Sequence, residues 1–182
     1  MPVKIVADSC CDLDENLKAQ MNIQIAPLTI ELDGKAYRDD ENFDAEQYVA
    51  NMRRSSEAPK TACPSPKEFM DAYAGEESIF VVTLSSALSG TYKSAVLAKE
   101  MFLEEASKKF IHIFDSFSAS VGETLIALRI TELAKKGLED FEIVEKVNEY
   151  IKGMKTFFML ETLENLVKAG RISPLIAKVT SI

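Results

Sequence analysis

The run Ile79-Phe80-Val81-Val82-Thr83-Leu84 constrains this chain more than any other stretch, because it is apolar at both parities of a strand. A strand with one face in water alternates apolar and polar residues, whereas a continuous apolar run belongs to a strand covered on both faces, as in a parallel sheet under helices. Val3 to Asp8 and Phe110 to Asp115 read as companion strands, and Ile23 to Ile30 as a further one.

Helical segments separate these strands. A short one ends near Met21, and Asn42-Phe43-Asp44 opens another that runs to about Arg54. Pro66-Lys67-Glu68-Phe69 starts a third with proline in its first turn. Thr91 to about Ser107 places Tyr92, Ala95, Val96 and Phe102 on one face, Ala119 to Lys136 stops at Gly137, and Asp140 to Gly153 follows. Leu32-Asp33-Gly34-Lys35 is a turn into a polar strand around Tyr37, a hairpin expected at an edge. Ser55, Ser56, Pro59, Pro64 and Pro66 mark a long irregular connection, a kind of loop that often carries function.

Strand-helix alternation of this kind predicts an α/β chain, three layers α/β/α around a mainly parallel sheet. Its 182 residues suit one domain, or one plus the start of another. The first is expected over residues 1–155. Residues 156–182 read as a connector and the start of a second domain that is largely missing, because after a helix near Glu161 to Lys168 the apolar Leu175, Ile176, Val179 and Ile182 have no following element to pack on.

A net charge of -8 disfavours nucleic acid, whose phosphates such a surface repels. No apolar run approaches the roughly 18 residues of a membrane span, and Met1-Pro2-Val3-Lys4-Ile5 lacks a signal-peptide layout, so a cytoplasmic protein is expected. Cys10, Cys11 and Cys63 form neither a disulfide framework nor a CxxC pattern. With His112 alone in an alternating strand, no metal site and no cofactor are expected.

Three strands end in hydroxyl-rich turns: Asp8-Ser9, Ser85-Ser86 and Asp115-Ser116. In a parallel sheet these turns share the carboxyl edge, where open α/β proteins bind ligands. Within Leu84-Ser85-Ser86-Ala87-Leu88-Ser89-Gly90-Thr91-Tyr92, Ser89, Gly90 and Thr91 fall at a helix start. Free N–H groups and the positive dipole end suit an anion there; equally, Ser89 or Thr91 can serve only as an N-cap. There is no GxSxG elbow or base for a serine nucleophile, and no GxGxxG or Walker A glycines.

Taken together, Asp8-Ser9 with Asp12-Leu13, Lys60-Thr61 with Pro64-Ser65-Pro66, and Leu84 to Tyr92 with Ser94-Ala95 resemble the DegV family. Asp115-Ser116, Thr162-Leu163-Glu164-Asn165-Leu166 and the closing Gly170-Arg171-Ile172-Ser173 extend the resemblance over nearly the whole chain. Members bind a long-chain fatty acid between two domains, and some present its carboxylate to a separate kinase that makes acyl phosphate. The resemblance implies that Thr61 and Ser89 donate hydrogen bonds to the carboxylate, with Ser86, Gly90 and Thr91 shaping the turn and Ser9 and Ser116 nearby. Arg171 is read either as lining the head-group region or as pairing with an acidic neighbour.

Two departures stand out: Ala62-Cys63 follows Thr61 where members commonly carry Ser-Gln, and members continue past Gly-Arg-Ile-Ser into a closing second domain. A second reading therefore keeps the fold without the lipid, as a truncated or vestigial interaction module. No stand-alone catalytic motif supports an enzyme.

Overall fold

The computed structural model describes residues 2–106, 108–160 and 163–173. In chain order its elements are β1 (Val3–Asp8), α1 (Glu15–Gln20), β2 (Ile23–Ala26), β3 (Thr29–Leu32), β4 (Lys35–Arg38), α2 (Ala45–Arg54) and β5 (Lys60–Ala62). These are followed by α3 (Pro66–Ala72), β6 (Ser78–Thr83), α4 (Thr91–Glu105), β7 (Ile111–Asp115), α5 (Val121–Lys135), α6 (Asp140–Gly153) and α7 (Glu164–Lys168). Contacts divide the chain into two compact units, Met1–Pro27 with Cys63–Thr156 and Leu28–Ala62 with Phe157–Ile182.

The first unit is built on a parallel sheet of order β2-β1-β6-β7. Every residue of β6 is buried, as its apolar run requires. Side chains alternate across the pleat. Ile79 and Val81 pack with Val6, Ile111, Phe69, Tyr73, Ala95 and Ala98, on the α3/α4 side. Phe80 and Val82 pack with Ile5, Phe114, Ile126, Ile130, Ile143 and Val147, on the α5/α6 side. This gives the expected α/β/α layering, each buried Val, Ile or Phe contributing roughly 1.5–3 kcal/mol. Local chemistry agrees with it: Ser65 and Glu68 form a capping box at the start of α3, with Pro66 in the first turn. His112 lies on β7 against the Phe114 ring, 4.5 Å between centroids, and burial followed by the Lys99 charge pushes its pKa down to about 4.

The second unit contains an antiparallel sheet of order β4-β3-β5. Asp33 and Gly34 both take left-handed φ, 50° and 74°, as a tight two-residue hairpin demands. In α2, Asp44 caps the N-terminus by accepting from the Gln47 N–H, and Tyr48 packs on Tyr37 and Phe43 at centroid distances of 5.2 and 5.4 Å.

Two readings from the sequence change here. Ile23 to Ile30 is not one strand: Pro27 has no N–H to give a ladder, and the run divides into β2 and β3 in different sheets. The connection from Ser55 to Pro66 contains β5, which pairs with β3. The expected helix near Glu161 to Lys168 is α7; Glu161, Thr162 and the tail carrying Leu175, Ile176, Val179 and Ile182 lie outside the described residues.

Candidate functional site

β6 is the central strand of the carboxyl edge, and each of its neighbours ends in an aspartate. Asp8, fully buried, accepts from the Cys10 N–H at 3.0 Å through Oδ1 and from the Leu84 N–H at 2.7 Å through Oδ2. Asp115 uses Oδ1 alone, accepting from Ser86 and Phe117 N–H at 3.1 Å each. Between them, the buried Ser85 donates its N–H to Ser118 O at 2.9 Å. Its Oγ accepts from Ala87 N–H, and its carbonyl from Leu88 and Ser89 N–H. Every N–H from Leu84 to Ser89 is thereby occupied within the protein.

What the β6–α4 loop still offers lies at its end. Gly90 is the N-cap of α4 without a side-chain cap, and its N–H has no partner among the described residues. Ser89 Oγ and Thr91 Oγ1 are 2.8 Å apart, and Ser89 Oγ accepts the Thr91 N–H at 3.3 Å. Thr91 is buried and Ser89 half-buried, so the arrangement with Thr91 as hydroxyl donor leaves the Ser89 proton for an outside acceptor. Ser94 donates to Pro64 O at 2.6 Å, and a Cβ on Gly90 would stand 3.4 Å from Cys63 Sγ, so the chain after residue 62 packs on the first turn of α4.

The β7–α5 loop is tightly wound. Phe117 and Ser120 carry φ of 48° and 58°, rare for residues with a Cβ and commonest where a site is being shaped. Ser116 is buried, its hydroxyl donating to Ser118 O and accepting from Ser118 N–H, so the loop itself occupies it. Gly122 lets the Ser118 side chain approach α5: a Cβ there would overlap Ser118 Oγ, which lies 2.7 Å from Thr156 Oγ1. Ser120 donates to the Asp12 carboxylate, and Thr124 donates to Asp12 O at 2.6 Å.

Beneath these loops lies Glu123, fully buried, with neither carboxyl oxygen hydrogen-bonded among the described residues. Burial first, then the Asp8 and Asp12 carboxylates, push its pKa up to about 10, so it is neutral at pH 7. Burial likewise pushes the Cys11 thiol up to about 12.

The structure thus brings Ser9, Ser86, Ser89, Gly90, Thr91 and Ser116 to the loops of one unit. Thr61 and Arg171 belong to the other. Thr61 sits exposed in β5 opposite Ile30, in a strand and not in the loop expected from the prolines around it. Arg171, also exposed, donates to Ala169 O at 2.6 Å beyond α7. Sequence reasoning missed Asp8, Asp115 and Glu123 as organisers of the edge. The available signal was an aspartate closing two of the apolar strands. Among the described residues no helix is long and apolar enough to cross a membrane, and no group of three or more His, Cys, Asp or Glu is arranged to hold a metal.

Comparison with known proteins gives one consistent result. A family model described as uncharacterised protein, DegV family COG1307, matches residues 2–182. A DegV domain-containing protein of Streptococcus pyogenes serotype M1 is 38% identical over 181 residues, covering 98% of this chain; the chain spans 65% of that relative's length. A DegV family protein from Ruminococcus gnavus, refined with vaccenic acid, superimposes with a TM-score of 0.92 at 41% identity, over 94% of this chain and 62% of that one. The Fatty Acid Kinase (Fak) B3 protein of Streptococcus pneumoniae, loaded with linoleic acid, gives 0.88 at 37% identity, over 98% and 64%.

Proposed function

The chain belongs to the DegV family, and on that premise we propose that it binds a long-chain fatty acid and presents the carboxylate to a fatty acid kinase for acyl-phosphate formation. The observation that carries this reading is the pair of neutral donors, the Ser89 hydroxyl and the Gly90 N–H, at the carboxyl edge of a fold whose solved relatives hold vaccenic and linoleic acids. Thr61 is the second hydroxyl donor to the carboxylate, and Ser86 and Thr91 shape the turn. Ser9 and Arg171 are secondary contacts.

Neutral donors suit a carrier. A carboxylate oxygen must keep a lone pair for the γ-phosphate of ATP, which a bidentate arginine clamp would occupy. The carrier orients the acid, and the kinase supplies the phosphoryl chemistry. Burying roughly 15 methylenes at about 0.8 kcal/mol each gives on the order of 12 kcal/mol before association costs, so the tail dominates affinity and the head sets orientation.

Solvent extraction of the purified protein followed by electrospray mass spectrometry is the direct test. A long-chain acid is expected in the extract; protein that neither carries lipid nor takes it up would favour an interaction module without a ligand. Ser89→Ala and Thr61→Ala each remove a hydrogen bond to a charged acceptor, about 1.5–3 kcal/mol, far below the tail contribution. Both variants should keep lipid yet lose most phosphoryl transfer with the kinase. Parental transfer by Ser89→Ala would place the carboxylate elsewhere.

A further inference from the structure

We infer that Asp8 and Asp115 are positioning residues for the carboxylate donors, a statement that rests on the carrier reading. In the loop from Leu84 to Gly90 only Ser85 is buried, and yet Ser89 and Gly90 must be aimed within a few tenths of an ångström to serve as donors. Two carboxylates from opposite sides of β6 fix the loop by its backbone. Asp8, at the end of β1, holds the Leu84 N–H; Asp115, at the end of β7, holds the Ser86 N–H. Ser118 O holds the Ser85 N–H between them, and Ser85 O then receives the Leu88 and Ser89 N–H groups. Three successive amides are thus pinned by the ends of the flanking strands and the β7–α5 loop, and Ser89 follows from them through a single turn.

The two carboxylates do this with different numbers of acceptors. Asp8 engages both oxygens, one on Cys10 and one on Leu84. Asparagine there would turn an NH2 group toward one of two N–H donors and break one tie. Asp115 engages Oδ1 alone, and its Oδ2 takes no hydrogen bond among the described residues. Asparagine at 115 keeps the acceptor that matters; alanine removes it.

The test offers purified protein equal amounts of palmitic acid and 1-hexadecanol, which share a tail and differ in the head, and measures the bound ratio by extraction and mass spectrometry. A loss of general stability lowers both lipids together, whereas misaimed carboxylate donors lower the acid alone. Asp8→Asn and Asp115→Ala should each reduce the acid-to-alcohol ratio about tenfold, the value of one hydrogen bond to a charged group. Asp115→Asn should restore the ratio that Asp115→Ala loses. Because Asp115 is half-exposed, its pair of variants decides the matter even if Asp8→Asn does not fold. A parental ratio in Asp115→Ala, or equal losses in Asp115→Ala and Asp115→Asn, overturns the inference while leaving the carrier reading intact. Parent protein with no preference for the acid overturns the carrier reading and this inference with it.

Discussion

The two sides of the parallel sheet differ in how one large buried polar side chain is treated. On the α3/α4 side, Tyr73 is fully buried and its hydroxyl donates to Ala95 O at 3.0 Å. On the α5/α6 side, Glu123 is equally buried and neither of its oxygens is bonded among the described residues. Buried polar groups are normally paired, since each unpaired one costs about 1–3 kcal/mol. The α3/α4 layer follows the rule of a structural core. The α5 layer breaks it directly beneath the β7–α5 loop, where Phe117 and Ser120 also hold left-handed backbone. Departures from local consistency concentrated on one side mark where a fold serves something besides its own stability.

The largest expected effect bears on what the two sides share. Phe80→Ala removes a ring that meets Phe110 at 5.4 Å and Phe114 at 6.3 Å in the α5/α6 core. A loss of about 3–5 kcal/mol in urea unfolding is expected; a loss under 1 kcal/mol would mean that this layer is loosely packed and the contrast is one of order, not of polarity.

Next comes the acidity of Glu123. Its pKa, ordinarily 4.5, is near 10 in the folded chain, so between those values the native state holds one proton more than the unfolded state. Stability from this group is full below pH 4.5 and declines by about 1.4 kcal/mol per pH unit above it. Urea midpoints for the parent should therefore fall from pH 6 to pH 8 by the equivalent of about 3 kcal/mol more than those of Glu123→Gln. Equal slopes in the two proteins would show that Glu123 ionises freely and erase the contrast.

The smallest effect sharpens the other half of the comparison. Tyr73→Phe removes one satisfied hydroxyl and keeps the ring, so a cost of about 0.5–1.5 kcal/mol, independent of pH from 6 to 8, is expected in the same unfolding experiment. A pH-dependent change would place an ionising group beside Tyr73.

Much of the first unit was legible because its strands are apolar over their whole length and its helices carry local signals, such as Pro66 in a first turn and Gly137 after α5. Pro27 was equally visible, but its effect was to send Thr29–Leu32 into another sheet, and that depends on which strands wait there. β5 spans three exposed residues between Pro59 and Pro64, too short to show alternation, and exists by pairing with β3 thirty residues earlier. At the edge, the Ser89–Thr91 pair is local and was readable. The Asp8 bond to Leu84 joins positions 76 apart, and no spacing rule announces it. Glu123 is an acid in a helix's first turn, where the dipole favours negative charge; only its burial in the folded chain makes it neutral.

Gly122 bears on how such a sequence can drift. Any side chain there would collide with Ser118 Oγ, and Ser118 in turn reaches Thr156. The serine therefore depends on the glycine. Among relatives, loss of the glycine is expected to coincide with loss of the serine hydroxyl, and chains that keep the serine are expected to keep the glycine. A pairwise count over aligned relatives would reveal this co-variation without any protein being made.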